Sequence, residues 1–148
     1  MKDTLRPVFS EKLYPSAAFL LGIQVLPVGF WLISLPIWPS AALYIALATE
    51  AVILALAVFR APSIHYDGSM LVVGNARLER SAIGEIEIYR GESAQKARTS
   101  ELDSRAWLNL RPGINTYVKV TLDDARDATP YWLFSSRNPE ALAEALNL

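Results

Sequence analysis

From Leu13 to Thr49 the chain carries no charged residue, and after the single Glu50 the apolar run resumes from Ala51 to Phe59. A core helix of a soluble domain needs no such length. A bilayer's hydrocarbon core, about 30 Å thick, is crossed by roughly 20 apolar residues rising about 1.5 Å each. The run holds two such lengths. Pro36 and Pro39 bracket Ile37-Trp38, and proline, which has no amide hydrogen and breaks helices, divides the run there. The division predicts one helix over about 14–35 and a second over about 40–59, a transmembrane hairpin. Pro27, Gly22 and Gly29 fall inside the first helix, where a kink is tolerated if neighbouring groups satisfy the freed carbonyl. Trp31, Trp38 and Tyr44 gather around the hairpin tip and Tyr14 marks the other end, as amphipathic rings do at the two interfaces of a membrane.

A secretory signal peptide is the competing reading, because Lys2, Arg6 and Lys12 precede the apolar stretch. Its apolar region would span only about 7–15 residues before a cleavage site. Here a second apolar span follows almost at once, so a retained hairpin is expected. Lys2, Arg6 and Lys12 flank one end of the pair, Arg60, Arg77 and Arg80 follow the other, and the tip carries no basic residue. The excess of positive charge predicts a multi-pass plasma-membrane protein with both termini in the cytoplasm.

Residues 1–60 hold seven formal charges, and residues 61–148 hold the other 22, ten basic and twelve acidic. So even a balance disfavours nucleic acid as a partner, since that requires a clustered basic surface. With no Cys and one His, a disulfide framework, Cys-ligated metal, a thiol nucleophile and a multi-His site are excluded. No cofactor is expected.

After Arg60-Ala61-Pro62 the pattern changes to short alternating segments separated by turn residues, the signature of antiparallel strands. Ser63–Tyr66 and Met70–Val73 are joined through Asp67-Gly68, a dipeptide suited to a tight hairpin. Gly74-Asn75 offers a second turn before Ala76–Glu79, and Ile83–Tyr89 follows, with Ile86 and Ile88 on one face and Glu85 and Glu87 on the other. Residues 90–100 read as a loop, with a short helix over 101–108. Tyr117–Leu122 and Pro130–Ser135 form a further hairpin across 123–129. Asn138, Pro139 and Glu140 are start signals for a C-terminal helix, which presents Leu142, Ala145 and Leu146 on one face. The expected fold class is thus an α+β membrane protein. Residues 1–60 form an N-terminal segment and hairpin; residues 63–148 form a small antiparallel β domain, a partly open barrel of the pleckstrin-homology-like kind closed by a helix. About 85 residues suffice for an independent core.

Phe9-Ser10-Glu11-Lys12-Leu13 before the hairpin, His65-Tyr66-Asp67-Gly68, Ile83-Gly84-Glu85-Ile86-Glu87, Leu122-Asp123-Asp124, and the tail from Thr129 through Pro130-Tyr131-Trp132-Leu133 to Asn138-Pro139-Glu140 occur together. In these the chain resembles, over nearly its whole length, a family of small actinobacterial membrane proteins classed as a domain of unknown function. The resemblance implies two transmembrane helices and a cytoplasmic domain similar to bacterial pleckstrin-homology-like modules. It implies no activity, substrate or catalytic residue.

Glu50 is the foremost candidate site residue. Ten positions before Arg60, it falls about 15 Å along a helix, near the middle of a bilayer. A carboxyl group there is costly and often marks an ion path, a relay or a partner contact. The plainer alternatives are a local hydrogen bond or a helix shifted to bring Glu50 to water. Gln24, at similar depth in the first helix, or Glu50 of another subunit are its candidate partners. His65 beside Asp67 has the residue types of a general base, but no nucleophile or anion loop accompanies it, so a strand-surface histidine is the better reading. Asp123-Asp124-x-x-Asp127 lacks the glycine and terminal Glu of a calcium loop and reads as turn residues. Trp107, Tyr131 and Trp132 read as core or interfacial anchors, and Gly74, Gly84, Gly91 and Gly113 match no phosphate-binding fingerprint. The expectation is therefore a non-enzymatic, membrane-anchored interaction module. Its partners would be the lipid bilayer and a membrane or cytoplasmic protein, peptide or lipid head group, with homo-oligomerisation open. The alternative is an oligomeric membrane protein that handles a small solute or protons through Glu50.

Overall fold

The computed structural model describes residues 8–124 and 127–147. Lys2 and Arg6, used above for orientation, lie outside the described residues. The chain divides into two compact units: residues 14–61, and residues 1–13 together with 62–148.

The helical unit comprises α1 (Ala17–Ile23), α2 (Val25–Ser34) and α3 (Ala42–Phe59). Ser16 caps α1, its hydroxyl accepting from Phe19 N at 3.1 Å, so the first helix starts three residues later than expected. The expected kink at Pro27 appears instead as a break at Gln24. Pro27 has no N–H for the Ile23 carbonyl, and its ring crowds that carbonyl, so the strain falls one turn back. There Gln24 N bonds Leu21 O at 3.3 Å in a tighter turn, which takes the regular backbone donor from Leu20 O. The Gln24 side-chain amide replaces it, donating to Leu20 O at 3.2 Å. Ala17–Ser34 and Ala42–Phe59 are both long and apolar enough to cross a membrane, and only 11% and 6% of the two spans is buried within the protein. A soluble core helix would be mostly enclosed. The less exposed residues of α3, Ala42, Ile45, Ala46, Thr49, Glu50, Ile53 and Ala57, recur at the spacing of one helical face, and α3 packs against α2.

The second unit is α+β. One sheet has the order β1-β2-β3-β4, from β1 (Phe9–Lys12), β2 (Ser63–Tyr66), β3 (Met70–Val73) and β4 (Ala76–Glu79), all antiparallel. The other has the order β5-β7-β8-β6, from β5 (Ile83–Arg90), β6 (Trp107–Asn109), β7 (Thr116–Leu122) and β8 (Tyr131–Ser135). Short α4 (Gly91–Ala97) follows β5, and α5 (Pro139–Asn147) ends the described chain. The expected strands, hairpins and C-terminal helix are present. The sheets do not close on each other, however, and β6 runs parallel to β8, so the architecture is two open four-stranded sheets where a partly open antiparallel barrel was expected.

Three further differences have local causes. Residues 9–12, expected with the hairpin, are the edge strand β1: Phe9 and Leu13 are buried in the main core with Ile64, Val73 and Phe134, and Phe9 pairs with Tyr66. Residues 91–97, expected as loop, are helical because Ser93 Oγ closes the first turn on Arg90 N and Arg90 O and Ala94 and Ala97 bury one face on Tyr117 and Leu133. The helix expected over 101–108 is absent. Asp103 Oδ1 accepts from Arg105 N at 2.8 Å and holds a turn, and Trp107 enters β6 against Trp132, ring centroids 4.5 Å apart.

In the first hairpin only Gly68 takes a positive φ, +94°. Asp67 Oδ1 accepts from Ser69 N and Met70 N, both at 2.8 Å, so the turn is stabilised by the aspartate rather than by a two-residue left-handed pair. The register between β5 and β7 shifts between Ile83 and Ile86. At Gly84 in this bulge a Cβ would meet Thr121 Oγ1 at 2.7 Å and Thr121 O at 3.1 Å, which is why the strand carries glycine there.

Candidate functional site

The structure brings the two sequence-nominated residues together. Gln24 sits at the break between α1 and α2, and Glu50 sits midway along the 18-residue α3. Gln24 Nε2 donates to Glu50 Oε1 at 3.1 Å and to Leu20 O at 3.2 Å, which commits both hydrogens of the amide. Glu50 Oε2 is buried and has no hydrogen-bond partner. An unpaired buried oxygen on a carboxyl group is costly. Beside this pair an open groove lies between α2 and α3. It runs from Trp31 and Leu43 on the tip side, past Val28 and Leu47, to Gln24 and Glu50. Its walls are exposed apolar side chains and its polar end is the Gln24–Glu50 pair.

In the β unit, His65 pairs across the β1–β2 ladder with Ser10, whose Oγ lies 3.0 Å from His65 Nδ1. This is an edge contact, and Asp67 is occupied by its own turn. Asp127 Oδ1 accepts from Thr129 N at 2.8 Å, and Asp127 N donates to Asp124 O at 3.1 Å; residues 125 and 126 of this loop lie outside the described residues. Among the described residues no three His, Cys, Asp or Glu side chains are grouped to hold a metal ion. Trp132 is core and Trp107 is half-buried against it.

Sequence reasoning missed two polar clusters. Glu11, only 7% exposed, accepts from Ser136 Oγ through Oε2 and from Arg137 N through Oε1, both at 2.7 Å. The carboxylate thereby fastens the N-terminal strand to the start of α5. Alternation along β1 pointed to it, since Phe9, Glu11 and Leu13 share one face. The second cluster lies on the sheet face beneath α4. Lys119 Nζ donates to Glu87 Oε2 at 3.1 Å, the Tyr89 hydroxyl donates to the same oxygen, and Lys119 lies over the Tyr131 ring at 5.0 Å from its centroid. The Tyr89 and Lys119 hydrogen bonds hold the Glu87 carboxyl below its ordinary value. Burial and the neighbouring carboxylate push the Tyr89 hydroxyl up. Burial opposes the charge on Lys119, but the Glu87 hydrogen bond and the Tyr89 and Glu87 charges outweigh it, and the ammonium is stabilised. The charged ammonium is thus one partner of an ion pair with Glu87.

An apolar hairpin of two spans, the first broken into α1 and α2, inserted in an α+β unit of two open sheets defines the class of protein. Residues 8–146 match the family described as Protein of unknown function (DUF3093), and the chain belongs to that family. Comparison with curated proteins and with solved structures gave no match.

Proposed function

We propose that the protein is a membrane-anchored interaction module. The hairpin crosses the plasma membrane twice with both termini cytoplasmic, and the β unit binds a protein, peptide or lipid head group at the inner face. The observation that carries this reading is the contrast between the two units: the helical spans leave their apolar side chains exposed, while the β unit encloses its own core around Phe134, Leu133 and Leu142. Exposed apolar surface of that extent is stable in hydrocarbon and not in water. The order of strands followed by a C-terminal helix supports a pleckstrin-homology-like reading of the β unit, and the resemblance to actinobacterial membrane proteins supports the plasma membrane as its site. The module is read as non-enzymatic, because its polar clusters are ion pairs and strand ties.

The Gln24–Glu50 hydrogen bond favours a second reading, an oligomer that handles a small solute or protons through Glu50. Two helices cannot enclose a path, so that reading requires assembly.

The test is purification of the full chain in mild detergent, with a hairpin-only chain as control. Under the module reading a defined protein or lipid co-purifies with the full chain and is lost from the control. Equal recovery from both would overturn it.

A further inference from the structure

The hairpin leaves one buried polar atom without a hydrogen-bond partner. That atom is Glu50 Oε2, and Gln24 Nε2, the one donor among the described residues that reaches the carboxyl group, has spent one hydrogen on Oε1 and the other on Leu20 O. The groove that ends at this pair is otherwise walled by Val28, Trp31, Leu43 and Leu47.

We infer that this groove is covered by the same groove of a second copy of the chain, whose Gln24 supplies the hydrogen bond that Glu50 lacks. The inference rests on the reading of the hairpin as membrane-spanning. Three observations select this occupant. A lipid chain would cover the apolar walls equally well, but its donors lie at the interface, about 15 Å from mid-bilayer, and bring nothing to Glu50. Copies inserted with the same topology are related by an axis along the membrane normal, so residues at equal depth meet, and Gln24 and Glu50 share one depth because they already bond each other. In the second copy, the Gln24 hydrogen that crosses is the one now spent on Leu20 O. Its bond to Leu20 O replaces the one a regular turn would supply from Gln24 N, so relaxing that turn to regular geometry returns Gln24 N to Leu20 O and Val25 N to Leu21 O and frees the amide hydrogen. Rotation about the glutamate's side-chain torsions re-aims the carboxyl group as a unit, so that one oxygen faces the groove while the other accepts from its own Gln24. Buried polar contacts between membrane helices act as glue of this kind.

The chain contains no cysteine, so a single introduced thiol reports position without interference. Full-length Leu47→Cys, in the groove, and Val52→Cys, exposed half a turn round α3 from Leu43, would be oxidised with copper phenanthroline in native membranes after carbonate washing. The expected result is a covalent dimer from Leu47→Cys and little from Val52→Cys. Adding Glu50→Leu to Leu47→Cys should weaken the dimer by about sevenfold to three-hundredfold, the range for losing the two symmetry-related hydrogen bonds together. Adding Glu50→Gln, which keeps size and hydrogen-bonding capacity, should preserve it. Equal dimer yields from the two cysteine sites, or a Leu47→Cys dimer indifferent to Glu50→Leu, would overturn the inference while leaving the anchor intact. Release of the chain by carbonate would overturn the membrane reading and this inference with it.

Discussion

The amide of Leu13 donates to the carbonyl of Pro62 at 2.9 Å, so the chain leaves the β unit and re-enters it at neighbouring points although 48 residues intervene. Lys12 pairs with Ser63 in the same ladder. The hairpin is therefore an insertion between two adjacent strands. A chain in which residues 14–61 are replaced by a short Gly/Ser linker should be soluble and fold cooperatively, measured by circular dichroism and thermal melting. Residues 63–148 alone should fare much worse. They lack Phe9 and Leu13, each a core side chain whose loss costs about 2–5 kcal/mol, against a typical total stability of about 5–15 kcal/mol.

Glu11 extends the same argument to hydrogen bonding. In the linked β unit, Glu11→Ala should cost about 2–4 kcal/mol in urea unfolding, because it strands the buried Ser136 hydroxyl and the Arg137 amide without an acceptor. Glu11→Gln keeps an acceptor and should cost less. Ser136→Ala combined with Glu11→Ala should fall short of additivity, since the two groups share one bond. Strict additivity would show that the contact contributes nothing.

The Glu87 cluster predicts a pH dependence with a definite sign. Tyr89 and Lys119 lower the folded-state value of Glu87 below its ordinary 4.5, so the unfolded state binds the proton more tightly. The stabilisation is present above pH 4.5 and is lost as the pH falls through the lowered folded value. Lys119 is raised from 10.5, so its contribution is complete below that pH and fades as the pH rises through the raised value. Glu87→Gln in the linked unit should flatten the acid limb of stability against pH, with little change in the slope between pH 6 and 8, roughly the range in which neither group titrates. An unchanged acid limb would contradict the assignment.

The elements most legible in sequence were those whose signals are local. The two apolar spans, the Asp67-Gly68 turn, the β7–β8 hairpin and the Asn138-Pro139 start of α5 depend on near neighbours, and each is where its residues indicated. Gln24 was legible as one of two candidate partners for Glu50, because counting along the two spans puts them at similar depth, and the two side chains are hydrogen-bonded. What escaped was non-local. Phe9–Lys12 reads as a polar stub before a membrane span unless its partner, 54 positions on, is known. Tyr131–Ser135 shows no alternation because α5 and the main core cover one face of its sheet while α4 covers the other, the burial pattern of an inner strand. The α4 signal was available in Ala94 and Ala97 and in the Glu92–Lys96 pair, 3.0 Å apart at helical spacing, but Gly91 and the small polar residues masked it. Trp107–Asn109 is too short to show any period, and its parallel pairing with Trp132–Phe134 is set by tertiary packing.

The orientation of the hairpin is the remaining prediction, and it follows from the basic flanks. Lys12 and Arg60 border the two spans, Lys2 and Arg6 precede them, Arg77 and Arg80 follow, and the tip from Leu35 to Ala41 carries no charge. Positive residues near span ends stay on the cytoplasmic side, so fusions at either terminus should give an active cytoplasmic fluorescent reporter and an inactive alkaline phosphatase, and carbonate should leave the chain in the membrane. The same charges should also work in reverse. Replacing Lys2, Arg6 and Lys12 by Gln while placing lysines at Ser40 and Ala41 removes the bias at one end and raises it at the tip, and a measurable inverted fraction should appear, with phosphatase activity at the N-terminus. The C-terminal unit opposes complete inversion because a folded domain would then have to be translocated. A periplasmic terminus in the unaltered chain, or a charge-swapped chain with no inverted fraction, would mean that something other than these basic residues sets the topology.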